Sequence, residues 1–188
     1  MLTTIKRATI AITASVAVAG AAFAASHAAN PMVGGAEMDA MKPIAENASN
    51  APNLTTLVSA AQAAGLVETL AGEGPFTVFA PTNEAFEALP EGTVENLLKP
   101  ENKDQLTKVL LSHVVPAKAT SEAAMGMIKD DGGRHNVETA SGDTITLGMD
   151  GGNLIVFDES GNAATVVTAD VMQSNGVVHV IDKVLLPQ

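Results

Sequence analysis

Thr77-Val78-Phe79-Ala80-Pro81-Thr82-Asn83-Glu84-Ala85-Phe86 and, near the far end of the chain, Asn175-Gly176-Val177-Val178-His179-Val180-Ile181-Asp182-Lys183-Val184-Leu185-Leu186-Pro187 are the two stretches whose reading decides the fold. The first reads as a short apolar strand, Phe76 to Phe79, that stops at Pro81. Proline has no N–H for a sheet ladder and disfavours helix in the residue before it. Thr82 and Asn83 then offer side-chain oxygens to cap a new helix, and Glu84 suits its positive first turn. Phe86 directs that helix at the core. The second stretch reads as a tight turn at Asn175-Gly176 feeding an aliphatic strand, Val177 to Leu186, closed by Pro187.

Between the two lies a long amphipathic segment, Asn102 to Val114. Leu106, Val109, Leu110, His113 and Val114 recur at helical spacing, which puts His113 on the apolar face. Ahead of the first stretch, a helix is predicted over Met38–Asn47 with Pro43 as a break. Asn53 is predicted to cap a second helix carrying Leu54, Leu57, Val58 and Ala61, ended by Gly65. Shorter helices are expected at Leu66–Leu70, at Thr93–Leu98 and within 119–129, the last capped by Ser121. From Asn136 the hydrophobic period becomes two. Strands are predicted at Asn136–Ala140, Thr144–Met149, Asn153–Phe157 and Ala164–Thr168, separated by Ser-Gly-Asp, Asp-Gly-Gly and Glu-Ser-Gly-Asn turns. Helices first and a meander of strands afterwards define an α+β domain.

The two stretches resemble the signature boxes of the fasciclin domain, an extracellular adhesion module. Leu110-Leu111-Ser112-His113-Val114-Val115 sits between them, where that family has a tyrosine-histidine motif. The resemblance runs from about Ala36 to Pro187. It implies a compact wedge of β-strands with several short helices packed along one side. It also implies a mainly structural role for the motif residues Thr77, Phe79, Pro81, Thr82, Asn83, Phe86, His113, Asn175, Gly176, His179 and Asp182. Ser112 stands where the family usually has tyrosine. The tyrosine-histidine pair is the element associated with integrin binding in animal members, so the resemblance does not carry integrin binding to this chain.

Residues 1–24 read as an export signal. Lys6 and Arg7 form a positive start, Ala8 to Phe23 is small and apolar, and Ala22-Phe23-Ala24 fits a small-x-small cleavage site. The expected domain order is therefore signal peptide 1–24, flexible arm 25–36 and a single domain 37–188. Removing the signal takes the formal net charge from −11 to −13. Such an acidic chain without a basic patch is a poor match for nucleic acid or for anionic membranes. With no cysteine in the sequence, folding rests on packing alone. Tryptophan and tyrosine are absent too, so the exposed aromatic faces that stack on sugars or bases are missing.

The sequence offers little catalytic chemistry. Ser112 and His113 are neighbours on a predicted helix and point about 100° apart, too divergent for a nucleophile and its base. His179 and Asp182 fall on opposite faces of a regular strand. A soft copper site on the arm would need His27, Met32, Met38 and Met41; the plainer reading is that the methionines pack the first helix. The acidic turns Asp130-Asp131, Asp150 and Asp158-Glu159 have no calcium-loop spacing. The sequons Asn47-Ala48-Ser49 and Asn53-Leu54-Thr55 read as chance triplets.

The expectation is a monomeric, periplasmic or secreted protein without cofactor, which binds a surface protein or polysaccharide and does no catalysis. It makes no contact with nucleic acid and does not insert in a membrane after signal cleavage. The alternative is a carrier of a small apolar ligand such as a pigment. A hydrolase or metal protein with a dispersed site is the third class.

Overall fold

The two decisive stretches lie side by side. In a computed structural model that describes residues 30–90 and 92–187, β1 (Phe76–Pro81) and β7 (Gly176–Ile181) are parallel neighbours, paired from Phe76 opposite Gly176 to Pro81 opposite Ile181. Both strands are buried along almost their whole length, which is why each reads as a near-continuous apolar run. Around this centre the sheet runs β2-β1-β7-β6-β5-β4-β3. The remaining strands are β2 (Val114–Val115), β3 (Arg134–Glu138), β4 (Thr144–Asp150), β5 (Asn153–Phe157) and β6 (Ala163–Gln173). Among the described residues only the β1–β7 pair is parallel.

Helices α1 (Ile44–Asn50), α2 (Thr55–Ala64), α3 (Val67–Ala71), α4 (Asn83–Glu87), α5 (Thr93–Leu97), α6 (Lys103–Leu111) and α7 (Ser121–Asp130) complete the fold among the described residues. Two apolar clusters result. The larger joins α1, α2, α4 and α6 to Val78, Ala80, Val178 and Val180. The smaller joins α7 to β4 and β5, together with Phe79 and Ile181. This α+β wedge is the predicted architecture.

Several boundaries differ from the sequence reading. The first helix begins after Pro43, because a residue before proline avoids helix. Asn53 caps nothing: Leu54 is the N-cap of α2 and makes no side-chain cap bond. α6 stops at Leu111, and Val114–Val115 leaves the helix to pair with β1. Thr120, not Ser121, caps α7 by accepting from the Ala123 N–H at 3.3 Å. β6 continues past Thr168 through two register shifts, near Asp170 at φ 57°. β3 sits two residues earlier than predicted, and β7 ends at Ile181, although Val184 and Leu185 beyond it are buried.

The signal segment and His27 lie outside the described residues. From Asn30 onward the arm expected to be flexible is docked. The Asn30 side-chain amide donates to the Met172 carbonyl at 2.7 Å and its oxygen accepts the Met172 N–H at 3.0 Å, imitating a strand partner. Val33 and Met38 are buried in the core. Among the described residues no helix is long and apolar enough to cross a membrane.

Candidate functional site

The motif residues gather around the β1–β7 centre, and their polar side chains bond other parts of the chain, buried at Thr77, His113 and His179 and exposed at Asp182. Thr77 is fully buried. Its hydroxyl donates to the Ala117 carbonyl at 2.6 Å and accepts the Ala119 N–H at 2.8 Å, which pins the loop after β2. The Phe79 ring stacks on the His179 ring with centroids 5.6 Å apart, and its N–H donates to the His113 carbonyl at 2.8 Å. Pro81 closes β1. Thr82 caps α4 through the Ala85 N–H at 3.3 Å, and Phe86 enters the larger core cluster.

Asn83 and Asn175 each tie down helices remote in sequence. The Asn83 side-chain oxygen accepts the Thr56 N–H at 3.0 Å, capping α2 from outside, and its amide donates to the Pro52 carbonyl at 3.1 Å. Asn83 therefore takes the place that the sequence assigned to Asn53, whose own side-chain oxygen is buried without a partner among the described residues. The Asn175 oxygen accepts the Ile44 N–H at 3.0 Å, at the start of α1. Its amide donates to the Leu70 and Gly72 carbonyls at 2.8 and 2.9 Å, at the end of α3. Each asparagine thus satisfies helix-end groups that have no partner within their own helix.

Gly176 is not a turn glycine. The turn is Ser174-Asn175, and Gly176 is the first residue of β7. A Cβ there would lie 2.0 Å from the Phe76 carbonyl oxygen, so the close β1–β7 approach demands glycine. Asp182 anchors the end of the strand by accepting the Thr165 N–H at 2.7 Å.

Both central histidines are buried, with both ring nitrogens engaged. His113 Nδ1 lies 2.7 Å from the Val109 carbonyl, and Nε2 accepts the Leu185 N–H at 2.9 Å. Since Nε2 must accept, the proton is on Nδ1. His179 is the mirror case. Nδ1 accepts the Asp170 N–H at 3.3 Å, so the proton is on Nε2, 2.8 Å from the Ala119 carbonyl. Burial lowers the His113 pKa to about 4 and lowers that of His179 as well, against the opposing pull of their carbonyl partners.

As their spacing predicts, Ser112 and His113 share no hydrogen-bond partner. The Ser112 hydroxyl faces Lys108, Ser141 and Asp143, on the other side of the chain from the His113 nitrogens' partners. Ser112, Ser141 and Thr139 form a hydroxyl network that ends on the Asp143 carboxylate. Burial pushes that carboxyl up, but Ser141, Lys108 and Ser112 outweigh it and hold its pKa below the usual range. The network surrounds Ser112, the residue beside His113. It escapes sequence reading because its members belong to a helix end and a hairpin joined only in three dimensions.

The metal candidates are also dispersed. Met38 is in the core, whereas Met32 and Met41 are 57% and 75% exposed. Asp131 pairs with His135, Asp158 is buried and accepts N–H groups from Asn162 and Leu186, and Glu159 accepts from Thr144. No group of three or more His, Cys, Asp or Glu side chains that could hold a metal occurs among the described residues. Asn47, the first sequon asparagine, is buried and bonded to Gln173, which leaves no room for a glycan.

A wedge sheet with its two signature strands paired in parallel and its motif asparagines tying helix ends defines the class of protein. The fasciclin domain family model matches residues 52–187, and the chain belongs to that family. It is 48% identical over 156 residues to the protein sll1483 of Synechocystis sp., covering 83% of this chain and 79% of that one. It is 38% identical over 167 residues to immunogenic protein MPB70 of Mycobacterium bovis, covering 85% and 77%. Human periostin is 35% identical over 136 residues, which is 72% of this chain but 15% of periostin. Among solved structures, a FAS1 domain pair from the insect cell adhesion molecule Fasciclin I superposes with a TM-score of 0.70 at 16% identity, covering 77% of this chain and 51% of that one. That likeness shows the fold.

Proposed function

We propose that this chain is an exported, non-catalytic adhesion module that binds a surface protein or polysaccharide. The observation that carries the reading is that the family-motif side chains act as internal ties. Histidine nitrogens, asparagine amides and the Thr77 hydroxyl are engaged with the main chain, so a reactive pair with a free nucleophile is not assembled from them. Binding then falls to the outer surface. Membership of the fasciclin domain family supports the same class of role. Cells deleted for the chain should lose attachment to surfaces or to one another and regain it when the chain is restored. Unchanged attachment, together with turnover of an ester, peptide or glycoside substrate that His113→Gln abolishes, would contradict the reading.

The carrier reading has one observation in its favour: an apolar space enclosed by α1, α2, α3 and the sheet, lined by Val33, Leu57, Leu70, Val78 and Val178. Its volume is about 50 Å³, whereas ligand pockets usually enclose roughly 300–1,000 Å³. A pigment would have to part the helices. Visible absorbance in the protein purified from its own cells tests this reading, and the absence of Trp and Tyr leaves the ultraviolet baseline clear.

A further inference from the structure

β3 is an edge strand of the sheet with β4 as its only strand partner among the described residues. Its hydrogen-bond phase can be read from its ends. The Thr139 N–H donates inward to the Asp143 carbonyl at 2.9 Å, while the Ala140 N–H donates outward to the Val114 carbonyl at 2.7 Å. Inward and outward groups alternate along an antiparallel strand. Val137 and His135 therefore bond β4, and Glu138, Asn136 and Arg134 carry N–H and C=O groups that point away from the sheet. Those main-chain groups have no other partner among the described residues. The same three residues are exposed, in the alternation exposed–intermediate–exposed–intermediate–exposed from 134 to 138. α7 packs on the sheet through Ala124 and Ile128, in one apolar cluster with Ile145 and Leu147.

This open stretch is self-complementary. An antiparallel copy centred on Asn136 brings Arg134, whose guanidinium lies 4.5 Å from the centre of the Phe157 ring in its own sheet, opposite Glu138 of the second copy, and Glu138 opposite its Arg134. The two Asn136 residues meet on the axis. Each outward residue then exchanges a pair of N–H···O=C bonds with its counterpart, as a two-fold interface requires. The register has no free choice. Ala140 is already bonded to β2 on one side, and Gly132 and Gly133, both at positive φ, turn the chain away just before Arg134. A slip of two residues would place Arg134 opposite Asn136 and lose both charge pairs. The Asn136 oxygen already accepts from the Thr146 hydroxyl at 2.9 Å, so its amide hydrogens remain for the other Asn136.

We propose that β3 pairs edge to edge with β3 of a second copy of this chain, joining two sheets across a two-fold axis at Asn136. This self-association goes beyond the binding of a foreign macromolecule and does not depend on it. The pairing is short, so a weak dimer is expected, with association visible up to about 1 mM. Sedimentation equilibrium of the purified chain over that range is the test, read beside thermal unfolding. Asn136→Pro removes an outward N–H that β4 does not use. It should abolish the dimer and leave melting nearly unchanged. Glu138→Arg puts like charges opposite each other and should weaken association roughly tenfold. Arg134→Glu combined with Glu138→Arg should restore it, a rescue independent of whether the proline variant folds. A parent chain monomeric at about 1 mM, a dimer that persists in well-folded Asn136→Pro, or a charge swap without rescue would each overturn the proposal.

Discussion

Gly176 and His113 show how single residues hold the two signature strands in place. A Cβ on Gly176 would lie 2.0 Å from a main-chain oxygen of β1, and that atom cannot swing aside as a side-chain end could. Gly176→Ala should therefore cost about 1–3 kcal/mol or more, measured by chemical denaturation. A midpoint equal to the parent's would mean that β1 and β7 do not approach so closely. His113→Gln should cost on the order of 2–4 kcal/mol, because its ring links the Val109 carbonyl to the Leu185 N–H. The sequence placed His113 facing the core by helical spacing. The side chain does face the core, but for another reason: the helix has ended, and the ring reaches back four residues to the last turn. Local periodicity could suggest burial here, but it could not supply Leu185, seventy-two residues away.

At the scale of elements, the helix ends separate what was legible from what was not. Thr82 caps its own helix, as its place before Asn83-Glu84 suggests. Asn83 beside it caps α2 instead, and Asn175 closes the ends of α1 and α3. A sequence window sees only a cap for the helix that follows, which is why Asn53 looked like the cap of α2. The two asparagines should therefore behave oppositely. Asn83→Ala should cost about 1–2 kcal/mol, since it removes the acceptor for the Thr56 N–H. Asn53→Ala should be far milder, because its buried oxygen has no partner to lose. Equal losses in paired unfolding curves would show that Asn53 does cap the helix. The strands β4 and β5 were legible nearly to the residue, since hairpin turns and period-two patterning are local signals. β6 was not, because a bulge at Asp170 breaks the period that identifies a strand.

For the whole molecule, the parallel union of β1 and β7 is the organising event. Nothing local in either strand announces its partner some hundred residues away, although both read as fully buried. The helical and β halves of the chain meet at that pairing, with one buried histidine on each side of Phe79: His113 through the Phe79 N–H, His179 through the ring. This sets the response to acid. Both histidines have lowered pKa values in the folded state, so the unfolded chain binds protons first and stability falls as pH drops. For His113 the loss begins near its ordinary value of 6.5 and is complete below about 4, and amounts to on the order of 3 kcal/mol. In His113→Gln the stability curve between those limits should flatten. An unchanged slope would mean that the ring is not buried neutral in the parent.

The central claim is that the motif's polar groups are engaged inside the fold, and the tautomers of the two buried histidines test it most directly. Nitrogen-15 correlation spectra of the imidazoles near neutral pH should show His113 neutral with its proton on Nδ1, donating to Val109. They should show His179 neutral with its proton on Nε2, donating to Ala119. Opposite tautomers, with both rings titrating below the ordinary 6.5 and His113 neutral down to about 4, are the predicted result. The same tautomer at both sites, or a His113 that titrates at an ordinary value and changes its signal with a bound ligand, would contradict the account and make that ring a site of chemistry.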